Sequence, residues 1–278
     1  MPTSSGGLNT EILERIQTAL QKAKRQHGPM WLAEQTATTP PNGTTSEMWA
    51  RLPFGKITAQ AIEENRLVTL SDSDQAHTAF DMMRTRVLQA LRQNHWSSVA
   101  ITSPTAGCGK TAVGLNLAFS MANQKDCRTV LVDLDLRRPR VGAALGVRNP
   151  PPIADFLKGH QGIEDTFLRY GENVAIASNS QPERLAAELL QSPETARALQ
   201  SLKQKLAPDV ILFDLPPMLS NDDVTAFLPN VDCAILVVEA EASTLAEIDL
   251  CERELSQKSN VLGVVLNKCR YTPDKYGY

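Results

Sequence analysis

The run Ser98-Val99-Ala100-Ile101-Thr102 is followed a few residues later by Gly107-Cys108-Gly109-Lys110-Thr111, and an apolar helical run from Ala112 to Asn123 begins at once. A short β-branched strand, a glycine-containing turn and a helix start, in that order, leave few folds open. The turn's backbone N–H groups and the helix N-terminus both point at one anion, as in a phosphate-binding loop. Lys110 supplies a point charge for the outer phosphates, and the Thr111 hydroxyl is a hard oxygen ligand suited to Mg²⁺. Ala106, Gly107, Cys108, Gly109, Lys110, Thr111 and Ala112 are the expected phosphate-contacting residues, with Cys108 read as a small residue that fits the loop. The usual loop pattern has glycine six residues before the lysine, and here that position is Pro104.

Two further apolar runs end in acids. Arg128 to Pro139 reads RTVLVDLDLRRP and places Asp133 and Asp135 at the carboxyl end of a buried-type strand; Asp209 to Pro217 reads DVILFDLPP and does the same with Asp214. Ligands of open α/β sheets sit outside strand carboxyl ends, so these acids and the loop are expected along one edge. Additional strands are read at 174–177, 234–238 and 261–266, with helices at 75–94, 153–157, 183–191, 193–206 and about 244–256. The alternation predicts an α/β fold with a doubly wound, mostly parallel sheet and helices on both faces, plus an N-terminal helical arm.

Length and composition set the remaining bounds. A chain of 278 residues holds one large α/β domain with an appendage. Its formal net charge of −3 offers no basic footprint, which excludes nucleic acid as a partner. Five cysteines, odd in number and without metal-ligand spacing, read as reduced thiols. With neither a signal pattern nor a long apolar run, the expected location is cytoplasmic. The expected organisation is an amphipathic helix (9–27) and flexible linker (TATTPPNGTTS, ending at Ser46) within 1–46, an arm at 47–74, the loop-containing domain at 75–268 and a tail at 269–278. The N-terminal helix either docks a partner or membrane surface or folds back on the domain. The tail holds three of the four tyrosines, Tyr271, Tyr276 and Tyr278.

Taken together, the AGCGKT loop, VLVDLDLRRP, VILFDLPP and the tyrosine-bearing tail give residues 75–278 a pattern that resembles the cytoplasmic ATP-binding domain of bacterial tyrosine kinases. That family regulates exopolysaccharide and capsule polymerisation and export, and lies within the MinD/ParA-like P-loop class. The resemblance implies ATP and Mg²⁺ as cofactors, with Lys110 on the β- and γ-phosphates. It also implies Thr111, Asp214 and Asp133 in the metal site, Asp133 as acceptor of the tyrosine proton, and Asp135 in support. Arg137 and Asn267 are counted with the nucleotide-binding set, and Tyr271, Tyr276 and Tyr278 as phosphoacceptors serving a neighbouring molecule. It further implies a homo-oligomer and a Wzz-like membrane polysaccharide-copolymerase partner that recruits the chain to the inner membrane. Thr105 replaces the lysine that MinD and ParA loops carry five residues before the second one. The Glu-x-x-Arg-x-x-Arg ring pattern of the kinases is also altered here, to Thr78, Asp81 and Arg84-Thr85. The alternative to a kinase is an ATP-binding switch that docks its partner without phosphorylating it.

Overall fold

The structure, a computed structural model, describes residues 42–70 and 75–269. Seven strands, β1 (Ser98–Ser103), β2 (Thr129–Asp133), β3 (Phe167–Tyr170), β4 (Val174–Ala177), β5 (Val210–Pro217), β6 (Cys233–Glu239) and β7 (Asn260–Asn267), form one sheet in the order β3-β4-β2-β5-β1-β6-β7. All pairs are parallel except β3 with β4. Among the described residues the helices of ten or more residues are α1 (Asn42–Arg51), α2 (Gln75–Asn94), α3 (Lys110–Ala122), α4 (Pro193–Leu206) and α5 (Leu245–Lys258).

Strand side chains alternate between faces, and the core divides accordingly. Ala100, Val130, Val132, Ile211 and Phe213 belong to one apolar cluster, closed by Leu199 and Leu202 of α4 and Ile248 and Leu255 of α5. Val99, Ile101, Leu131, Val210 and Leu212 belong to the other, closed by Leu88 and Leu91 of α2 and by α3. This is the doubly wound sheet the motif order predicts. β1 lies between β5 and β6, so the loop that follows it opens where chain connections diverge to either side.

Three readings change. β3 was not anticipated, because FLRY lacks the continuous apolar run that marks the equally short VAIA of β4. The helix expected over 183–191 is confined to Ala186–Leu190. The linker expected to run to Ser46 ends earlier, because α1 begins at Asn42. The N-terminal amphipathic helix at 9–27 lies outside the described residues.

The arm is part of the core. Trp49 and Leu52 are buried in the first cluster. The Trp49 indole N–H donates to the carbonyl of Leu206 at 2.7 Å, and the Arg128 guanidinium lies 5.6 Å from its ring centroid. Residues 53–55 then run beside β3: Arg169 N–H donates to Pro53 O at 2.8 Å and Gly55 N–H to Arg169 O at 2.9 Å. After the short helix Ala59–Glu64, capped by Thr58, the chain buries Leu67 in the second cluster. The arm thus wraps the β3 edge from one helical layer to the other.

That crossing depends on Gly55. A Cβ there would stand 2.3 Å from Cζ of Tyr170, whose ring is buried edge-to-face against Phe119 with centroids 6.1 Å apart. Burial also pushes the Tyr170 phenol up to about 12. With no room for the ring to yield, Gly55→Ala is expected to destabilise the protein by about 2 kcal/mol. Urea unfolding tests this; a midpoint equal to wild type at equal slope would show that the arm does not seat on Tyr170.

Candidate nucleotide site

The loop between β1 and α3 is anchored at its start to the end of β5. Thr102 Oγ1 donates to Pro216 O at 2.7 Å, and Leu219 N–H donates to Pro104 O at 3.1 Å. Pro104 costs the loop nothing at this point, because only its carbonyl is used. Gly107 and Gly109 take φ of +94° and +88°, a region open to glycine without strain. A Cβ on Gly109 would also meet Asn267 Nδ2 at 2.3 Å. Asn267, at the end of β7, donates to Cys108 O at 2.8 Å. Cys108 is buried and points back at Thr105 O at 3.3 Å, which supports the packing role expected for it.

Strand register assembles the acids. Asp133 is directly opposite Asp214 in the β2–β5 ladder. Lys110 Nζ lies 2.9 Å from Asp135 Oδ2 and 3.5 Å from Asp214 Oδ1, and Thr111 Oγ1 donates to Asp214 Oδ2 at 2.6 Å. Asp133 is fully buried and accepts N–H donors from Asp135 at 3.3 Å and Val141 at 3.1 Å. Asp135 accepts from the Arg138 N–H at 3.0 Å.

Residues 95–277, which carry the glycine loop, its lysine and threonine and the facing strand-end carboxylates, match the ParA family, described as NUBPL iron-transfer P-loop NTPase. The chain belongs to this P-loop NTPase family.

Among relatives of the P-loop NTPase, EpsB of Ralstonia solanacearum, named as a tyrosine-protein kinase, is 29% identical over 229 residues, 81% of this chain and 30% of EpsB. The chain therefore spans under a third of that relative's length. The tyrosine-protein kinase CpsD of Streptococcus pneumoniae serotype 4 is 28% identical over 185 residues, 64% of this chain and 79% of CpsD. The kinase domain of the Escherichia coli tyrosine kinase ETK superposes with a TM-score of 0.66 at 26% identity, covering 76% of this chain and 84% of that one.

The charge balance of the NTPase site is uneven, with three carboxylates facing one ammonium. Burial works against the charge of Lys110, yet Asp214 and Asp135 outweigh it and hold the ammonium above the ordinary lysine range. Burial first, and then the charge of Asp214, hold Asp133 well above the ordinary carboxylate range. Burial raises Asp214 as well, against the opposing pull of Lys110 and Thr111. Asp214 Oδ1 is buried without a hydrogen bond from the described residues. Among the described residues no cluster of three or more His, Cys, Asp or Glu side chains forms a metal cage. The all-oxygen set of Thr111, Asp214 and Asp133, in which Asp214 Oδ1 faces the Lys110 ammonium at 3.5 Å without a hydrogen bond, fits Mg²⁺, which binds through one or two carboxylates together with substrate phosphates.

Two residues expected among the nucleotide contacts have protein partners in this structure. Arg137 forms a two-pronged pair with the buried Asp223, Nε to Oδ2 at 2.7 Å and Nη2 to Oδ1 at 2.9 Å. Asn267 holds loop backbone. Asp223, on the short helix Asp223–Phe227, was not anticipated; the Asp222-Asp223 pair downstream of Asp214 was its only sequence signal. Tyr271, Tyr276 and Tyr278 lie outside the described residues. Their segment starts three residues after Asn267, whose side chain touches the loop.

Proposed function

We propose that this NTPase is an ATP-dependent protein-tyrosine kinase that phosphorylates the tail tyrosines Tyr271, Tyr276 and Tyr278 of a second molecule, and so regulates exopolysaccharide production with a membrane polysaccharide-copolymerase partner. The observation that carries this reading is the register-matched set of Lys110, Thr111, Asp133, Asp135 and Asp214 at one sheet edge, in a chain whose relatives are named as tyrosine-protein kinases.

Phosphoryl transfer passes through a loose transition state, so it needs positioning and charge neutralisation more than a strong base. The loop N–H groups and Lys110 orient the β- and γ-phosphates, and Lys110 exchanges Asp135 for phosphate oxygen. Thr111, Asp214 and Asp133 would hold Mg²⁺, which would supply neutralisation of the phosphate charge. The tyrosine oxygen forms a bond to the γ-phosphorus as the bond to the β–γ bridging oxygen breaks, and ADP carries that oxygen away. Asp133, at the strand end opposite Asp214, takes the phenol proton.

The full chain and a chain ending at Arg270 are incubated with Mg·ATP and compared for phosphotyrosine. The expected result is strong labelling of the full chain and near-complete loss in the shorter one. Undiminished labelling would move the acceptors elsewhere, and Tyr170, the one other tyrosine, is buried.

One observation favours the switch reading. Arg84, on the altered ring pattern, is occupied within its own molecule. Its guanidinium donates to Asp81 Oδ1 at 2.7 Å and to Ser120 O at 2.9 Å, and the Ser120 hydroxyl donates to Asp81 Oδ1 at 2.9 Å. An arginine held this way is not free to reach a neighbour. Nucleotide binding without phosphotyrosine in either chain would decide for the switch.

A further inference from the structure

The helix carrying the phosphate-loop lysine has a buried polar residue that neither the loop nor the acids use. Asn116 of α3 is 2% exposed, one turn beyond Ala112, in an otherwise apolar stretch. Its Oδ1 accepts both the N–H and the hydroxyl of Thr69, each at 3.1 Å. Its Nδ2 donates to Ala112 O at 2.8 Å and to Arg66 O at 3.0 Å. One amide thus spans two arm residues and the first turn of α3, where Lys110 and Thr111 sit.

The arm strains to make this contact. Arg66 holds φ at +50°, unfavourable for a residue with a side chain, while delivering its carbonyl to Asn116. Leu67 N–H closes the bend on Ile62 O at 2.9 Å. Buried amides left half-satisfied are costly, so the bonds of Asn116 form or break with the seating of the arm.

We propose that Asn116 is a positioning residue for nucleotide binding that couples the seated arm to the phosphate loop, an inference that rests on the nucleotide reading above. A seated arm fixes the Ala112 turn through Asn116 and holds the loop in its binding geometry. By linkage, a nucleotide that favours the fixed loop must favour the seated arm by the same factor.

The test uses the full chain, calorimetry with Mg·ADP, and the tryptic cleavage rate at Lys56 and Arg66, both exposed on the arm. In wild type, Mg·ADP is expected to slow cleavage about fivefold or more. Asn116→Asp keeps an acceptor for Thr69 but sets a carboxylate oxygen against two carbonyls; Thr69→Val removes one bond from the arm side. Each is expected to weaken Mg·ADP binding and to reduce protection by matching factors. Variants that unfold cooperatively like wild type, yet bind within twofold of it and are equally protected, would overturn the coupling alone. Absence of binding by wild type would overturn the nucleotide reading, and the coupling with it.

Discussion

Lys110→Met is expected to leave no measurable Mg·ATP or Mg·ADP binding by calorimetry and to lower the stability of the ligand-free protein by about 3 kcal/mol near neutral pH. The binding loss follows from removing the one cation the loop aims at the outer phosphates. The stability loss follows because the ammonium is also the counter-charge for Asp135 at 2.9 Å and Asp214 at 3.5 Å, both buried. The pH dependence separates this from a packing defect. Lys110 has a raised folded proton affinity, so its contribution is complete below the ordinary lysine range and is lost as pH climbs through its folded value. Asp133 and Asp214 are also raised, so the folded state keeps protons the unfolded state has shed, and their contribution falls as pH rises above the ordinary carboxylate range. Without the ammonium both acids rise further. The deficit of the variant is therefore expected to grow as pH rises above the ordinary carboxylate range and to shrink as pH falls into it. Urea unfolding across that range measures it, and a deficit independent of pH would dismiss the electrostatic account.

Asp214→Asn is expected to reduce phosphotyrosine formation about 10²- to 10³-fold while weakening nucleotide binding far less. The carboxamide keeps an acceptor for the Thr111 hydroxyl, so the local geometry survives. What disappears is the charge that a divalent ion requires, on a buried side chain whose Oδ1 takes no hydrogen bond. The residual rate should need a higher Mg²⁺ concentration for half-saturation. An unchanged rate with an unchanged Mg²⁺ dependence would remove Asp214 from the metal site. The variant also relieves the repulsion between Asp214 and Asp133, so its ligand-free form should be no less stable than wild type; this guards against mistaking unfolding for lost chemistry.

The loop, the strand-end acids and the parallel sheet were legible because each is written locally: a strand, a turn and a helix start occupy adjacent residues, and an acid marks the strand end it follows. Asp133 and Asp214 come together through register, which the motif order already implied. The arm was legible as a segment but its seating was not, since Trp49, Leu52 and Leu67 carry no period and find their partners only in distant layers. Arg137 illustrates the same limit. Its place after Asp-x-Asp pointed to the nucleotide, but its pairing with Asp223, far along the chain, could not be read from that place. Asn116 left one trace, a lone amide in an apolar helical run, and its meaning rests on Arg66 and Thr69.

The crossing of the arm over β3 also limits how the sheet can extend strand to strand. A sheet with two bare edges can join others indefinitely, strand to strand, and grow into a fibre. Here residues 53–55 take up the N–H and C=O of Arg169 on one edge, and among the described residues only β7 presents an open side. A molecule with a single open edge can share it with one other, as a symmetric pair about a twofold axis, and growth stops there.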